Sequence, residues 1–484
     1  MGTKKKFAID VVYSGISKYT TIIIALIVTA VLSRILSPED FGVVAIATVF
    51  ITFFNLLSDF GFATAIVQFK DLSNYDIRSI FGWSFWLAVI LSLCFFFFSP
   101  YIAYFYEKPL LAIICKLLCL QIFFTTINVV PNALLLKAKK FNVIAVRTMA
   151  IHVFCGIVSI VGALNGLGVY SLLINPIFGN LINFAVNVSY LKIGINIWPK
   201  ISSLKKIFSF SIYQFLFNFI NYVGNNLDKM IIGKMISLGG LGYYEKAYRL
   251  GQVPAQTING VISPVLHPYL SDYQNQPDKL LNVYDRMNRI LLTISFTVSA
   301  FCLLCSKELV LLVFGPQWLE SVEYFALISV TIATHLASSP TGAILQASNK
   351  TRLLFILGTI NVVVALVCLC VGAFIFGSIK AICIMGIVSS IVCFINTYIT
   401  TYKCCFHQSP FPIFRFAIIP LLYFIIVGVG GYLVSSRVED VFLFLVFVIK
   451  VVVWLVVTLV FLQLLTPFKP TLYYELLISK IRRK

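Results

Sequence analysis

The chain has 484 residues, of which 60% are hydrophobic and only 11% are charged, and its mean hydropathy is +0.96. Soluble domains carry about 25% charged residues, so this composition excludes an ordinary globular protein. A formal net charge of +19 is also typical of nucleic-acid-binding proteins. However, the basic residues occupy short segments between apolar blocks, where membrane topology places them, and we predict no nucleic-acid partner.

Apolar blocks of about 20 residues follow one another along the whole chain, which is the length that a helix needs to cross the hydrocarbon core. The sequence therefore predicts an all-α polytopic membrane protein. We expect the block after Lys6 to be the first membrane helix, because it is too long for the apolar region of a signal peptide. The fourteen predicted transmembrane helices lie near residues 12–35, 41–66, 79–102, 109–134, 147–165, 169–191, 208–236, 240–266, 288–313, 322–346, 353–377, 380–402, 413–434 and 441–464.

Lysine and arginine concentrate in alternate connections, which predicts that both termini are cytoplasmic. On the opposite side there is little beyond Arg34, Lys108, Lys307, Lys380 and Arg437. We expect the basic tail that ends at Lys484 to contact anionic membrane lipids. Every connection is shorter than about 20 residues, too short for a soluble catalytic domain, so we predict that the protein is not an enzyme.

Two pairs of segments indicate an internal repeat. Ile35–Gly42 is echoed by Met235–Gly242, and Pro131–Ala138 is echoed by Pro340–Ala347. Six spans per unit give both units the same orientation, so the repeat is predicted to be parallel. The expected organisation is a first six-helix lobe over 1–200, a second over 201–405, and two extra helices with a basic cytoplasmic tail over 406–484.

Polar side chains recur at helical spacing in two of the predicted spans. The seventh span carries Gln214, Asn218, Asn221, Asn225 and Asp228, and the eighth carries Glu245, Arg249, Gln252, Gln256, Asn259 and Ser263. Steps of three and four residues place each set on one face of a helix. Rows with fewer polar residues occur in the first span (Ser14, Lys18, Thr21) and the second (Thr52, Asp59). These faces either line a water-filled cavity or hydrogen-bond between helices.

The charges in these four helices favour an anionic substrate, because cations outnumber acids. A cationic chamber of low dielectric attracts phosphate or pyrophosphate. Asp59, Asp228 and Glu245 are either salt-bridge partners or H⁺ or Na⁺ sites that couple transport to an ion gradient. The residues predicted to line a substrate cavity are Lys18, Arg34, Asn221, Asn225, Lys229, Lys246, Arg249, Gln252 and Gln256.

The twelve cysteines lie mostly inside apolar blocks and are not accompanied by a histidine cluster. Metal sites built from cysteine need further ligands at defined spacing, so we predict neither a metal site nor a cofactor. We interpret these cysteines as small packing residues.

Three groups of residues carry a resemblance to a known family. They are Ser33–Gly42, Ser58–Phe62 with Ala65–Gln68, and Ile232–Ile236 with Leu241–Leu250. The chain resembles the polysaccharide flippases of the MOP exporter superfamily, in the branch that includes colanic acid and teichuronic acid exporters. The resemblance implies a V-shaped transporter of two lobes around a cationic cavity. It also implies alternating access, and a cavity-facing position for Arg34, Asp59, Asp228 and Arg249.

The resemblance also implies a substrate and a location. The expected substrate is an undecaprenyl-pyrophosphate-linked oligosaccharide repeat unit for capsule, exopolysaccharide or O-antigen, moved to the outer leaflet of the bacterial cytoplasmic membrane. A polysaccharide polymerase and assembly proteins are further candidate partners. Gly239 and Gly240 stand where the first repeat has Glu39 and Asp40, so an acidic gate there is one-sided.

Two other functions compete with this interpretation. A multidrug or small-solute antiporter of a related branch would be expected to have an acidic cavity, which the cationic excess disfavours. A membrane-embedded sugar polymerase or ligase would be expected to have a large external loop with catalytic Arg or His residues, and the sequence has no such loop.

Overall fold

The computed structural model describes residues 2–59, 62–63, 66, 72–196, 198–200, 219, 222–271, 276–348, 350–435 and 442–465. Side chains are described in these ranges except at 2–14, 59, 261–271, 277, 351, 432–435 and 464–465. The predicted roles of Asn221, of the Asp59 carboxylate and of the basic tail therefore lie outside the described residues. The described residues are helical and contain no strand. The prediction of an all-helical membrane protein is confirmed at this level.

The chain divides into two compact units, Met1–Glu245 and Lys246–Lys484. The division falls inside one helix, α9. The helices up to this point are α1 (Gly2–Ile35), α2 (Pro38–Asp59), α3 (Asn74–Phe105), α4 (Pro109–Ile127), α5 (Val129–Lys137), α6 (Phe141–Leu164), α7 (Ser171–Leu191), α8 (222–235) and α9 (Leu238–Ser271). The predicted repeat boundary at 200 concerns duplication of sequence and stays a prediction.

The second unit continues from α9 with eight further described helices. They are α10 (Pro277–Leu304), α11 (Ser306–Phe314), α12 (Leu319–Ser338), α13 (Thr341–Ala347), α14 (Thr351–Cys370), α15 (Ile379–Thr400), α16 (Phe411–Ser435) and α17 (Leu443–Leu465). Short π-helical turns, Val371–Ile375 and Thr401–Phe406, extend α14 and α15.

Eleven helical segments in the described part of the chain are long and apolar enough to cross a membrane. Of the other three predicted spans, the seventh falls largely on residues outside the described ranges. The eighth corresponds to α9, which is too highly charged for this group because Glu245, Lys246 and Arg249 lie within five residues. The tenth corresponds to α12, whose Glu320, Glu323 and His335 lower its hydropathy. The count of fourteen stays a prediction.

Large apolar side chains cover much of the outer surface in both units. Phe97 is 68% exposed, Ile426 66% and Val456 55%. An exposed apolar surface of this extent is stable only against lipid. The polar side chains that remain are therefore the ones that need an explanation.

The fourth predicted span of each repeat is broken into two helices. The fourth span comprises α4 and α5, with the break at Asn128, and the tenth comprises α12 and α13, with the break at Ser339 and Pro340. Pro131 and Pro340 lie in the matching motifs, and each lacks the N–H that would continue the helical hydrogen-bond ladder. The two breaks therefore fall at corresponding places in the two sequences.

The same helix pairs pack together in each unit taken by itself. In the first unit α3 packs on α4, α4 on α7, and α6 on α7. In the second unit α10 packs on α12, α12 on α15, and α14 on α15. These are the third with the fourth, the fourth with the sixth, and the fifth with the sixth spans of each predicted repeat.

Candidate functional site

Two polar contacts join α8 to the first turns of α9. The Tyr244 hydroxyl donates a hydrogen bond of 2.6 Å to Asp228 Oδ2. Beside it, the Lys229 ammonium lies 3.0 Å from Glu245 Oε2. The two helices are connected only by Ile236 and Ser237, so they turn back on each other and bring residues 16 positions apart into contact. We call these contacts the Asp228–Tyr244 and Lys229–Glu245 rungs.

The Lys229–Glu245 rung changes how the charges of this region are interpreted. The side chains of Lys229 and Glu245 are only 15% and 18% exposed, so each screens the charge of the other at close range. Of the two roles left open by the sequence, salt-bridge partner and ion site, Glu245 occupies the first in this conformation. Asp228 differs, because its contact in the rung is a neutral hydroxyl. Its Oδ1 atom is buried and has no hydrogen-bond partner among the described residues.

The remaining predicted cavity residues of the first unit are accessible. Lys18 and Arg34 on α1 and Asn225 on α8 are exposed. Thr52 on α2 is also exposed, and its hydroxyl donates to the carbonyl of Thr48 one turn earlier. The first unit therefore presents cationic and amide side chains on its surface, in helices that are otherwise apolar.

In the second unit, α9 continues the polar row. Arg249 and Gln256 are exposed, and Gln252 is partly buried. These three positions follow Glu245 in steps of four, three and four, as the sequence pattern requires for one helical face. The predicted row is thus helical and accessible from Arg249 to Gln256.

Lys246 has a different environment from the cavity that was predicted for it. Its side chain is 2% exposed, and Nζ lies 5.0 Å from the ring centre of Phe314 and 5.1 Å from that of Trp318. Ring faces attract a cation electrostatically. Successive residues in a helix differ by about 100°, so the neighbour of Glu245 points away from the polar row and into the core of the second unit. In this conformation Lys246 is buried against the rings of Phe314 and Trp318 and does not lie at the surface.

The starts of α2 and α9 meet backbone to backbone. A Cβ atom added at Gly42 would overlap the carbonyl of Leu238, and one added at Gly242 would overlap the carbonyl of Pro38. Each such Cβ would also lie 3.3 Å from the backbone nitrogen of the other glycine. The contact is reciprocal between positions 200 residues apart, and only glycine fits it. We call it the Gly42–Gly242 contact.

Two ion pairs lie at the same helix ends. The Lys108 ammonium donates to Glu39 at 2.6 Å, and the Lys234 ammonium donates to Glu107 at 2.9 Å. The hydrogen bond from Lys234, and next its positive charge, lower the pKa of Glu107 below the ordinary value. Both pairs are largely exposed, so each contributes little stability. They connect the start of α4 to the start of α2, and the end of α3 to the end of α8.

Sequence reasoning missed two cationic features of the first unit. Arg78, Lys137 and Lys192 line a groove of about 430 Å³ at the lysine-rich end of the helices. Arg147 lies inside the helix layer and bonds to asparagine side chains. A signal was present in the sequence, because no aspartate or glutamate occurs between residues 108 and 227. Lys137, Arg147 and Lys192 lie within that stretch and have no acid nearby in the chain.

Lys450 interrupts an apolar helix, and the structure places it in a buried ion pair. Its ammonium on α17 donates to Glu308 on α11 at 2.7 Å, and the two side chains are 3% and 2% exposed. A second hydrogen bond of 3.2 Å goes to the carbonyl of Leu304. Lys450 therefore joins α17 to α11 within the second unit, away from the surface.

Residues 31–323, more than half of the chain, match the family described as "Polysaccharide biosynthesis protein". The chain belongs to this family. The match includes α2, the rungs and the polar row of α9. Membership of the family confirms the resemblance that the motifs carried.

Two relatives agree with the family, and a solved structure has a similar fold. The chain is 25% identical to the lipopolysaccharide biosynthesis protein WzxC of Escherichia coli over 73% of each chain. It is 23% identical to the teichuronic acid biosynthesis protein TuaB of Bacillus subtilis over 71% of each chain. The lipid II flippase MurJ, solved in an inward closed conformation, has a similar fold with a TM-score of 0.76. The match covers 96% of this chain and 100% of the MurJ chain, at 14% identity.

Proposed function

We propose that the protein is a flippase for undecaprenyl-pyrophosphate-linked oligosaccharide repeat units. It carries them from the cytoplasmic to the outer leaflet of the bacterial cytoplasmic membrane by alternating access, for capsule, exopolysaccharide or O-antigen synthesis. The observation that carries the proposal is that a member of a polysaccharide biosynthesis family consists, over its described residues, of membrane helices and short connections. Its contribution to the pathway is therefore made within the bilayer.

The physical problem of this step matches the chain. The sugars and the diphosphate of such a substrate cannot cross hydrocarbon unaided, because desolvating a charge costs many kcal/mol. The polyprenyl chain can stay in lipid throughout. The protein needs to supply polar and cationic side chains within the membrane, and Lys18, Arg34, Asn225, Arg249 and Gln256 are exposed side chains of this kind. The proposed cavity is formed by the polar rows of the four equivalent helices.

The finer architecture is part of the proposal: fourteen spans, two parallel six-helix lobes in a V, and two extra helices. Three observations support the repeat. They are the reciprocal Gly42–Gly242 contact, the helix breaks at corresponding motifs, and the recurring helix pairs within each unit. The lysine-rich connections support cytoplasmic termini. With that orientation, the Gly42–Gly242 contact lies at the outer ends of α2 and α9.

We assign coupling to Asp228 rather than to Glu245. The carboxylate of Asp228 keeps one buried oxygen without a hydrogen-bond partner among the described residues, whereas Glu245 faces Lys229. A carboxylate in this position can take up H⁺ or Na⁺ and release it when the helices separate. The Tyr244 hydroxyl would hold the side chain in place during the exchange.

A transport assay tests the proposed function. The full chain is reconstituted into liposomes with a polyprenyl-diphosphate oligosaccharide that carries a fluorophore on the sugar, and an impermeant quencher reports which leaflet holds the label. We expect protein-dependent movement of the label, and at least tenfold slower movement in Arg249→Ala, because loss of a hydrogen bond to a charged group costs about 1.5–3 kcal/mol.

The control variant is Lys279→Ala, which removes an exposed cation at the start of α10 and should leave the rate unchanged. Absence of protein-dependent movement would reject the flippase assignment. Movement of an organic cation dye in place of the labelled lipid would favour the antiporter. Equal slowing by Arg249→Ala and Lys279→Ala would show that net charge, and not the α9 row, sets the rate.

A further inference from the structure

An open groove of about 630 Å³ runs between α6 and α7 in the first unit. Its walls are almost entirely apolar and include Val143, Val146, Ala150 and Phe154 from α6 and Ile182 and Val186 from α7. From Asn142 to Phe154 the groove follows α6 for twelve residues, or about 18 Å at 1.5 Å per residue. The hydrocarbon core of a bilayer is about 30 Å thick, so the groove is about as deep as one leaflet.

Arg147 is the charged side chain of this groove. Its guanidinium donates one hydrogen bond to Asn187 and one of 3.4 Å to Asn132. Asn187 in turn donates to Asn128 at 2.7 Å, so its orientation is fixed. The Arg147 Nε atom is buried and has no hydrogen-bond partner among the described residues.

The partners of Arg147 are neutral amides, so its positive charge is not balanced by them. No ion pair joins Arg147 to a carboxylate in the part of the chain that the structure describes. The whole stretch from residue 108 to 227, which contains α4 to α7, has no acidic residue. A charge within the membrane normally faces a counter-charge or water. We therefore expect an anion to bind at this site and balance the charge of Arg147.

The geometry indicates the direction from which the anion comes. Side chains on a helix tilt toward its N-terminus, and the N-terminus of α6 follows the exposed residues Lys139 and Lys140 at the lysine-rich membrane interface. A guanidinium has donors arranged to bind phosphate oxygens. Val146 and Phe154 are each 58% exposed, so the groove is open sideways to lipid.

We propose that this groove binds one anionic glycerophospholipid of the surrounding leaflet, with its phosphate on Arg147 and an acyl chain along α6 and α7. The phosphate supplies the negative charge that the asparagines do not, by binding to the partly exposed guanidinium of Arg147. The acyl chain covers the apolar walls to about the depth of the leaflet. The lipid would hold α6 and α7 together from the bilayer side. The site is independent of the transported substrate.

Native mass spectrometry of the purified full chain tests the site. Phosphatidylglycerol is titrated against phosphatidylcholine, and the occupancy of the first bound lipid is counted. We expect preference for phosphatidylglycerol in the wild type and about tenfold weaker first binding in Arg147→Gln, since a hydrogen bond to a charged group is lost. Arg147→Lys should keep the preference for the anionic lipid because it keeps the charge.

Two further variants make the test decisive. Ala150→Trp fills the groove from an exposed position without changing any charge, and it should weaken the first binding as Arg147→Gln does. Lys116→Ala removes an exposed cation on α4 and should leave the first binding unchanged. The proposal is overturned if Lys116→Ala and Arg147→Gln are equivalent, if Ala150→Trp has no effect, or if a polyprenyl diphosphate displaces phosphatidylglycerol from the groove.

Discussion

Neighbouring residues in the polar helices have opposite environments. Lys229 faces Glu245 across a short ion pair, while Lys246, next to Glu245 in the chain, lies among the rings of Phe314 and Trp318. From the sequence, both lysines were expected to line one cavity, because that prediction compared only the numbers of basic and acidic residues in the helices. A rotation of about 100° between successive residues turns Lys246 away from Glu245 and therefore away from Lys229. Helical phase thus matters more than composition for choosing substrate contacts.

Replacement of Gly42 or Gly242 by alanine should destabilise the conformation described here by about 1–3 kcal/mol, the usual cost of overpacking. The added methyl group would meet backbone carbonyls, which cannot move aside as a flexible side chain does. The midpoint temperature of thermal unfolding and the transport rate in liposomes should both fall. Gly239→Ala is the matched control, because nothing lies within 4 Å of its added Cβ. Equal effects at Gly239 and Gly242 would contradict a specific contact.

Asp228→Asn should remove the dependence of transport on an ion gradient. An asparagine can still accept the hydrogen bond from Tyr244, so the geometry is kept while the ionisable group is lost. Transport is measured in liposomes with and without an imposed pH or sodium gradient. Asp278→Asn, at an exposed position in the first turn of α10, serves as the control. An unchanged gradient dependence in Asp228→Asn would assign coupling elsewhere.

At the scale of elements, proline motifs and buried ion pairs decide where helices end and which helices stay together. The fourth span of each repeat is interrupted beside its proline motif. The helix α17 is held in place by polar side-chain contacts. Its Lys450 is buried against Glu308, and its Trp454 donates to the carbonyl of Thr297 at 3.3 Å. Polar contacts thus fix α17 on a surface where apolar packing alone gives little selectivity between helices and lipid.

Lys450→Leu should destabilise the second unit by about 3–5 kcal/mol, because it leaves the carboxylate of Glu308 buried without its cation. The double variant Lys450→Leu with Glu308→Leu should recover most of this loss, since two apolar side chains can replace a buried pair. Thermal unfolding in detergent measures the stability of the single and the double variant. The pair of Lys380 and Glu323 is the control, because its side chains are more than half exposed and it should contribute less than about 1 kcal/mol. Failure of the double variant to recover would contradict a simple ion pair.

At the scale of the whole molecule, the proposed orientation of the chain rests on the distribution of basic residues. Loops rich in lysine tend to stay in the cytoplasm, so we expect Lys139 inside and Lys108 outside. Single cysteines at these two exposed positions, in a background without the native cysteines, should react with an impermeant thiol reagent from opposite sides of intact cells. Lys139→Cys should be labelled only after permeabilisation. Labelling of both positions from outside would overturn the proposed topology.

The family, the membrane class and the spacing of the polar rows could be read from the sequence, because hydropathy, motif identity and helical period are local properties. The Gly42–Gly242 contact could be anticipated only as an echo between two segments. That each glycine meets the backbone of the other segment could be seen only in the structure. The groove around Arg147 could not be predicted, because Arg147 and its asparagines come from three separate segments of the chain.

The sequence by itself determined that this is a membrane protein built of helices, because an isolated run of about 20 apolar residues satisfies its backbone hydrogen bonds in lipid only as a helix. Only the tertiary structure decided which charges neutralise each other, which one lies under aromatic rings and which one faces an apolar groove. These outcomes depend on side chains from distant helices that meet at distances of a few ångströms, and the order of residues along the chain does not specify such meetings.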